Sequence, residues 1–175
     1  MEICAPYTLF CRYYDEVLNH IDFPKWKNFI LDEYLAHKMK NPNVTIDLGC
    51  GTGSLLAEFG QSSNQRFGMD ISDEMLKIAR KNHPDINFIK GYLRNFHFDL
   101  KADLVICAHD SLNYLTNLKE LESHFNCVKS ILKPRGLYFF DVTSEKNLMR
   151  NFHKKTTEEH LKDGKLVWTN EYFKR

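Results

Sequence analysis

The sequence predicts an α/β fold, a doubly wound, mostly parallel sheet with helices on both faces, and three observations carry that reading. Strand-like apolar runs alternate with helix-like segments through short connections across residues 44–142, the pattern that successive strand-helix-strand units leave in a chain. The run Leu104-Val105-Ile106-Cys107-Ala108 is apolar without interruption, as a strand must be when helices bury both of its faces. Finally, Val44-Thr45-Ile46-Asp47-Leu48 leads directly into Gly49-Cys50-Gly51-Thr52-Gly53 and then into a helix-like opening at residues 54–59. Glycine lacks a Cβ, so this turn is free to take positive φ and to let a ligand press against main chain.

Taken in order, residues 10–21 place Tyr14, Val17 and Ile21 at helical spacing, and Pro24 opens a second helix to about Met39. Trp26, Phe29, Ile30 and Leu35 give that helix its apolar stripe before Asn41-Pro42-Asn43 breaks it. After the glycine turn come a helix to about Gly60, a strand over residues 66–70 and an amphipathic helix capped by Ser72. Met75, Leu76 and Ile78 face inward from it, and Lys77, Arg80 and Lys81 form a solvated face. A third strand is predicted at 86–90 and a fourth at 104–108. A helix follows over 117–132, Lys133-Pro134-Arg135-Gly136 turns the chain, and a fifth strand takes 137–142. Beyond it, residues 147–152 read as a short helix. Residues 156–161 and 166–173 read as a hairpin in which Asp163-Gly164 makes the turn.

The 175 residues suit one domain: a helical cap at 1–40, a core at 41–142 and a partial extension at 143–175. The 24 Lys and Arg against 23 Asp and Glu leave a net charge of +1. That gives no general field to attract nucleic acid or an anionic membrane. No apolar run approaches the roughly 20 residues that cross a bilayer, and the first seven residues carry neither a basic leader nor a signal core, so a cytosolic location is expected. Five scattered cysteines fit reduced thiols better than a disulfide framework. Cys50 invites a nucleophile reading, but no basic residue adjoins it in sequence, which favours a small side chain tucked under the turn. The histidines and cysteines form no paired metal-ligand motif, so no metal site is expected.

The ligand of the glycine turn can be narrowed. Its spacing is G-x-G-x-G rather than the G-x-G-x-x-G of dinucleotide sites, and no Lys followed by Ser or Thr marks a phosphate loop. Asp47, before the first glycine, can accept from turn N–H groups or, through water, from a ligand ammonium. Asp70, at the tip of the next strand, can accept from both hydroxyls of a ribose. A ribose-bearing ligand without obligatory phosphate follows.

The runs D-L-G-C-G-T-G (47–53), G-M-D-I-S (68–72), F-I-K-G-Y-L-R (88–94), A-D-L-V-I-C-A-H-D-S-L-N-Y-L (102–115) and I-L-K-P-R-G-L-Y-F-F-D-V (131–142) resemble, in this order, class I S-adenosylmethionine-dependent methyltransferases. The leading F-C-R-Y-Y-D (10–15) is similar to small bacterial-type members of that group. The resemblance implies a Rossmann-like sheet of order 3-2-1-4-5, a single S-adenosylmethionine-binding domain and that molecule as cofactor. It assigns the turn of Gly49, Cys50, Gly51 and Gly53 to the methionine part and Asp70 to the ribose. It places Ile71 on the adenine face, the Leu93 backbone at the adenine edge, and Ala108, His109 and Asp110 beside the methyl group. Tyr14 corresponds to an aromatic near the sulfonium, although a half-buried helix tyrosine fits it equally. Tyr92 stands where relatives carry an acid that accepts from the adenine amino group, a loss worth ~1.5–3 kcal/mol unless the tyrosine compensates.

The acceptor stretch runs from His109 to Tyr114, with His109 either a base or a pocket wall and Asp110 and Tyr114 beside it. It lacks the prolines of enzymes that methylate flipped bases. Asp110 and Asp141 could hold Mg²⁺, but no third oxygen ligand is evident. The family's sheet has two more strands than this sequence can supply. Strand five is then an edge to be covered by the hairpin or by a second copy in a homodimer, or else the chain is truncated. The leading function is methyl transfer to a small molecule. A catalytically incomplete cofactor-binding protein is the alternative, and a nicotinamide-dependent oxidoreductase is disfavoured by the glycine spacing.

Overall fold

The computed structural model describes residues 10–38 and 40–171; the helix end expected at Met39 and the strand end expected at Phe173 lie outside the described residues. The N-terminal segment is a string of short turns: a 3-10 turn at Phe10–Arg12, α1 at Tyr14–Val17 and a 3-10 turn at Leu18–His20. A 16-residue helix, α2 (Phe23–Lys38), follows. The core then runs β1 (Val44–Leu48), α3 (Ser54–Ala57), β2 (Gln65–Asp70), α4 (Asp73–Asn82), β3 (Asn87–Lys90), β4 (Ala102–Cys107), α5 (Leu118–Ile131) and β5 (Leu132–Phe140). After α6 (Glu145–Asn147) and a π-helical turn at Leu148–Phe152, β6 (Lys155–Leu161) and β7 (Gly164–Asn170) form an antiparallel hairpin.

The five core strands are parallel and ordered β3-β2-β1-β4-β5. Strand side chains alternate between faces, and this period of two sorts the core. Ile46, Leu48, Val105 and Cys107 meet Val128 and Ile131 of α5 on one face. Leu104, Ile106 and Ala108 meet Ile30 and Tyr34 of α2 and Leu55 of α3 on the other. Burying one such Leu or Ile contributes roughly 1.5–3 kcal/mol, so the apolar run of β4 that follows Asp103 is the main anchor of both layers. The same alternation sends Asp47 away from α5, toward the side that carries α3 and the glycine turn. Two helix starts follow from capping: Ser72 Oγ accepts from Met75 N–H at 3.3 Å, and Asn117 Oδ1 accepts from Glu120 N–H at 3.0 Å.

Four expectations are corrected. The helix after the glycine turn stops at Ala57, because bonds from Glu58, Phe59 and Gly60 reach back only three residues and tighten the last turn. Strand β5 begins at Leu132, not at 137. It pairs Leu132 with Ala102, slips, and resumes at Leu137 opposite Leu104, so residues 133–136 bulge where Pro134 has no N–H to give the ladder. The hairpin turn is Lys162-Asp163 alone; Gly164 already pairs with Leu161, and none of the three takes positive φ. Lastly, the hairpin does not cover the sheet edge: β6 and β7 form their own two-stranded sheet, and among the described strands the outer edge of β5 is unpaired. The hairpin instead sits by the cap, where Lys162 N–H donates to Glu16 at 2.9 Å and Trp168 meets Phe10 edge-on at 5.8 Å. Among the described residues no helix is long and apolar enough to cross a membrane.

Candidate functional site

In a 3-2-1-4-5 sheet the connections after β1 and β4 leave in opposite directions, opening a crevice at the strands' carboxyl ends. The glycine turn fills the lip of that crevice. Gly49, Gly51 and Gly53 have φ of 81°, 54° and 82°, values that L side chains rarely adopt. A Cβ on Gly49 would also come within 2.6 Å of Ser111 Oγ, so this position is closed to any larger residue. The N–H groups of the turn are used internally: Gly49 and Cys50 donate to Met69 O, Gly51 to Asp70 Oδ2 and Gly53 to Cys50 O. Asp70, not Asp47, is therefore the carboxylate that holds the turn. Its Oδ1 also accepts from Ser72 N–H at 2.9 Å, and each oxygen keeps a lone pair for a ligand hydroxyl.

A cavity of ≈ 210 Å³ lies against the turn. Tyr14, Gly49, Gly51, Asp70 and His109 line one part, and Ile71, Tyr92, Leu93 and Tyr114 also contribute. A smaller recess of ≈ 30 Å³ adjoins it beneath the turn and is lined by Asp47, Cys50, Ala108 and His109 among others. Asp47 is only 3% exposed, and nothing donates a hydrogen bond to it among the described residues. Burial, with the nearby Asp70 carboxylate second, pushes its pKa up to about 7. A carboxyl so placed is ready to ionise against a cation.

The other expected residues divide. Cys50 is buried, its Sγ packs toward Gly68, and burial raises its thiol well above the usual range, so it is a packing residue and not a nucleophile. Gly53 caps α3 and shapes the turn without lining the cavity. Asp110 points elsewhere: its Oδ1 accepts from Thr143 Oγ1, and it lines a separate hollow with Thr143 and Phe152. Asp141 Oδ2 accepts from Asp110 N–H at 3.2 Å, so the two acids brace a loop. Among the described residues no His, Cys, Asp and Glu are grouped as metal ligands.

The cap closes over the turn through α1. Tyr14 lies 3.6 Å from where a Gly51 Cβ would sit, and burial, then Asp70, lifts its phenol to about 12. Asp15 Oδ1 accepts from Thr52 Oγ1 at 2.5 Å and from Ser54 Oγ at 3.4 Å, bolting α1 to the turn. His109 sits at the junction of cavity and recess, with Phe23 and Trp26 of α2 edge-on to its ring at 5.4 and 5.0 Å. Its Nε2 is buried without a partner, and burial lowers its pKa against the opposing pull of Asp141 and Asp110. His109 and Asp110 both hold left-handed φ, 56° and 61°, a strained pair at the cavity wall.

Sequence reasoning gave no role to Arg94, Leu115 and Glu120, which also line the cavity, and took Ser111 only as part of the acceptor stretch. The position of Ser111, one residue after two strained ones, becomes legible only once the turn at Gly49 is seen to press against it.

A parallel sheet with this strand order, a three-glycine turn after its central strand and a carboxylate at the tip of the neighbouring strand define a nucleoside-binding α/β protein of the class I methyltransferase type. The chain belongs to that family: the model of a methyltransferase domain matches residues 45–136. YqeM of Bacillus subtilis (strain 168), provisionally named a methyltransferase, is 30% identical over 166 residues, 93% of this chain and 65% of the relative. The chain thus spans just under two thirds of that relative's length. The fold matches a crystal structure of an S-adenosylmethionine-dependent methyltransferase from Clostridium acetobutylicum with a TM-score of 0.83 at 24% identity, over 97% of this chain and 71% of the other. It also matches S-adenosylmethionine-bound CalS10, an amino pentose methyltransferase from Micromonospora echinaspora, with a TM-score of 0.73 at 19% identity, over 91% and 65% of the two chains. Family membership sets aside the nicotinamide-dependent reading.

Proposed function

We propose that this chain binds S-adenosylmethionine across the glycine turn and transfers its methyl group to a small-molecule acceptor beside His109. The observation that carries this reading is the partnerless buried carboxyl of Asp47 in the recess beside the cavity, together with Asp70 in the cavity wall, which keeps acceptor lone pairs free. An amino acid joined to a ribose has an ammonium and two hydroxyls to match that pair. The remaining residues fit as well: Ile71 offers an exposed apolar surface for a base, and Tyr14 covers the turn.

When bound, the cofactor supplies an already activated methyl group, so strong acid or metal assistance is not required. The chain's own work is alignment. Asp47 accepts from the ammonium and so regains its charge; Asp70 accepts from the ribose hydroxyls while fixing the turn. Tyr14, Phe23 and Trp26 narrow the junction and limit water. His109, neutral because burial lowers its pKa, would take the acceptor's proton as the new bond forms. Tyr114, exposed at the rim, borders the acceptor's entry.

A homodimer through the outer edge of β5 belongs to the same reading. That edge is unpaired among the described strands, and Phe140 lies exposed beside Phe125 at 5.7 Å between centroids. Isothermal titration with S-adenosylhomocysteine tests the function. One-to-one binding at micromolar affinity is expected, and a folded protein that takes up none contradicts the proposal.

A further inference from the structure

The wall of the cavity opposite the glycine turn holds an acid that comes from far along the chain. Glu120 lies in the first turn of α5, and its side chain lines the same cavity as Ile71, Tyr92 and Leu93. It is held in place from one side only. Arg94 Nη1 donates to Glu120 Oε1 at 3.3 Å, while Oε2 has no partner among the described residues. The same guanidinium stands 5.5 Å from the ring centroid of Tyr92, so Tyr92, Arg94 and Glu120 form one connected strip of the wall.

The chemistry of that wall is uneven. Among the cavity's lining residues the carboxylates are Asp70 and Glu120. Both Asp70 oxygens already hold turn or cap N–H groups, and Asp70 belongs to the ribose end. Tyr92, at the position where an acid was expected, is 46% exposed and stacked by Arg94. An aminopurine entering this cavity brings two N–H donors on its exocyclic nitrogen, and burying them unmatched is costly. Glu120 Oε2 is the acceptor that the wall leaves over.

We propose that Glu120 is the residue that reads the exocyclic amino group of the cofactor's base, with Arg94 positioning its carboxylate and Tyr92 serving as a stacking surface. This rests on the S-adenosylmethionine reading above and deepens it. The acceptor then comes from the start of α5 and not from the loop after β3. Glu120 then has two roles: its N–H closes the Asn117 cap, and its side chain selects a 6-amino over a 6-keto purine.

The test compares two ligands on two proteins by calorimetry: S-adenosylhomocysteine and S-inosylhomocysteine, with wild type and Glu120→Gln. The wild type is expected to prefer the adenosyl ligand by about tenfold or more, each tenfold being ~1.4 kcal/mol. Glu120→Gln is expected to bring that ratio to about threefold or less, through weaker binding of the adenosyl ligand alone, with an unchanged thermal midpoint. Adding Tyr92→Asp to Glu120→Gln should restore the preference. A ratio unchanged in Glu120→Gln, or an equal loss for both ligands, overturns the assignment while leaving cofactor binding intact. If neither ligand binds the wild type, the cofactor reading itself fails and the assignment falls with it.

Discussion

Asp47 occupies a costly position for a carboxylate without its ligand. Its folded pKa of about 7 lies above the ordinary carboxylate value near 3.9, so between those limits the native state binds more protons than the unfolded chain. The contribution of this residue to stability is therefore complete below about pH 4 and is lost as pH rises through about 7. Asp47→Asn removes that penalty. The ligand-free variant should unfold at higher denaturant than wild type at pH 8, by roughly 1–3 kcal/mol, with little difference at pH 4. The same change should weaken S-adenosylhomocysteine binding about tenfold or more. A variant less stable than wild type at pH 8 would show that Asp47 is not a strained site. His109 carries the complementary expectation: its imidazole should titrate below the usual 6.5 in an NMR pH series, because burial outweighs its two acidic neighbours. Any proton transfer to His109 then fades only on the acid side of that titration. A value at or above 6.5 contradicts the role of a base kept neutral.

At the level of elements, the cap and the turn act together. Asp15 joins α1 to Thr52 and Ser54, and Glu16 joins α1 to the hairpin at Lys162, so one four-residue helix ties the turn to the extension. Asp15→Ala should cost about three- to tenfold in S-adenosylhomocysteine affinity by freeing Tyr14, with only a small change in thermal midpoint because Asp15 lies at the surface of the core. Unchanged affinity by calorimetry would mean that the cap is not held by this contact. Much of this layer was legible in sequence. The turn, the Ser72 cap and the apolar run of β4 are local signals, since each is written in adjacent residues. What was not legible is long-range. The slip in β5 depends on Ala102 in another strand, and Glu120 reaches the cavity only because Arg94 and α5 meet across the fold. Asp47 and Asp70 were both singled out, yet which of them holds the turn depends on how far each strand runs past its neighbour.

For the whole molecule, the exposed edge of β5 is the feature with the largest consequence. Parallel sheets are ordinarily protected at their edges, and an apolar strip left beside an unpaired strand favours association. Light scattering on a sizing column should show a dimer mass at tens of micromolar, converted to monomer by Phe140→Lys; a monomer throughout would contradict the proposed homodimer. The parallel order opens a crevice at the carboxyl ends of β1, β2 and β4, where the proposed nucleoside site lies. The most direct measurement is a crystal structure with S-adenosylhomocysteine. The expected result has its amino group within hydrogen-bond distance of Asp47 or of one water bound to it, its ribose hydroxyls on Asp70 and its base between Ile71 and Leu93. A ligand bound away from the glycine turn would contradict it.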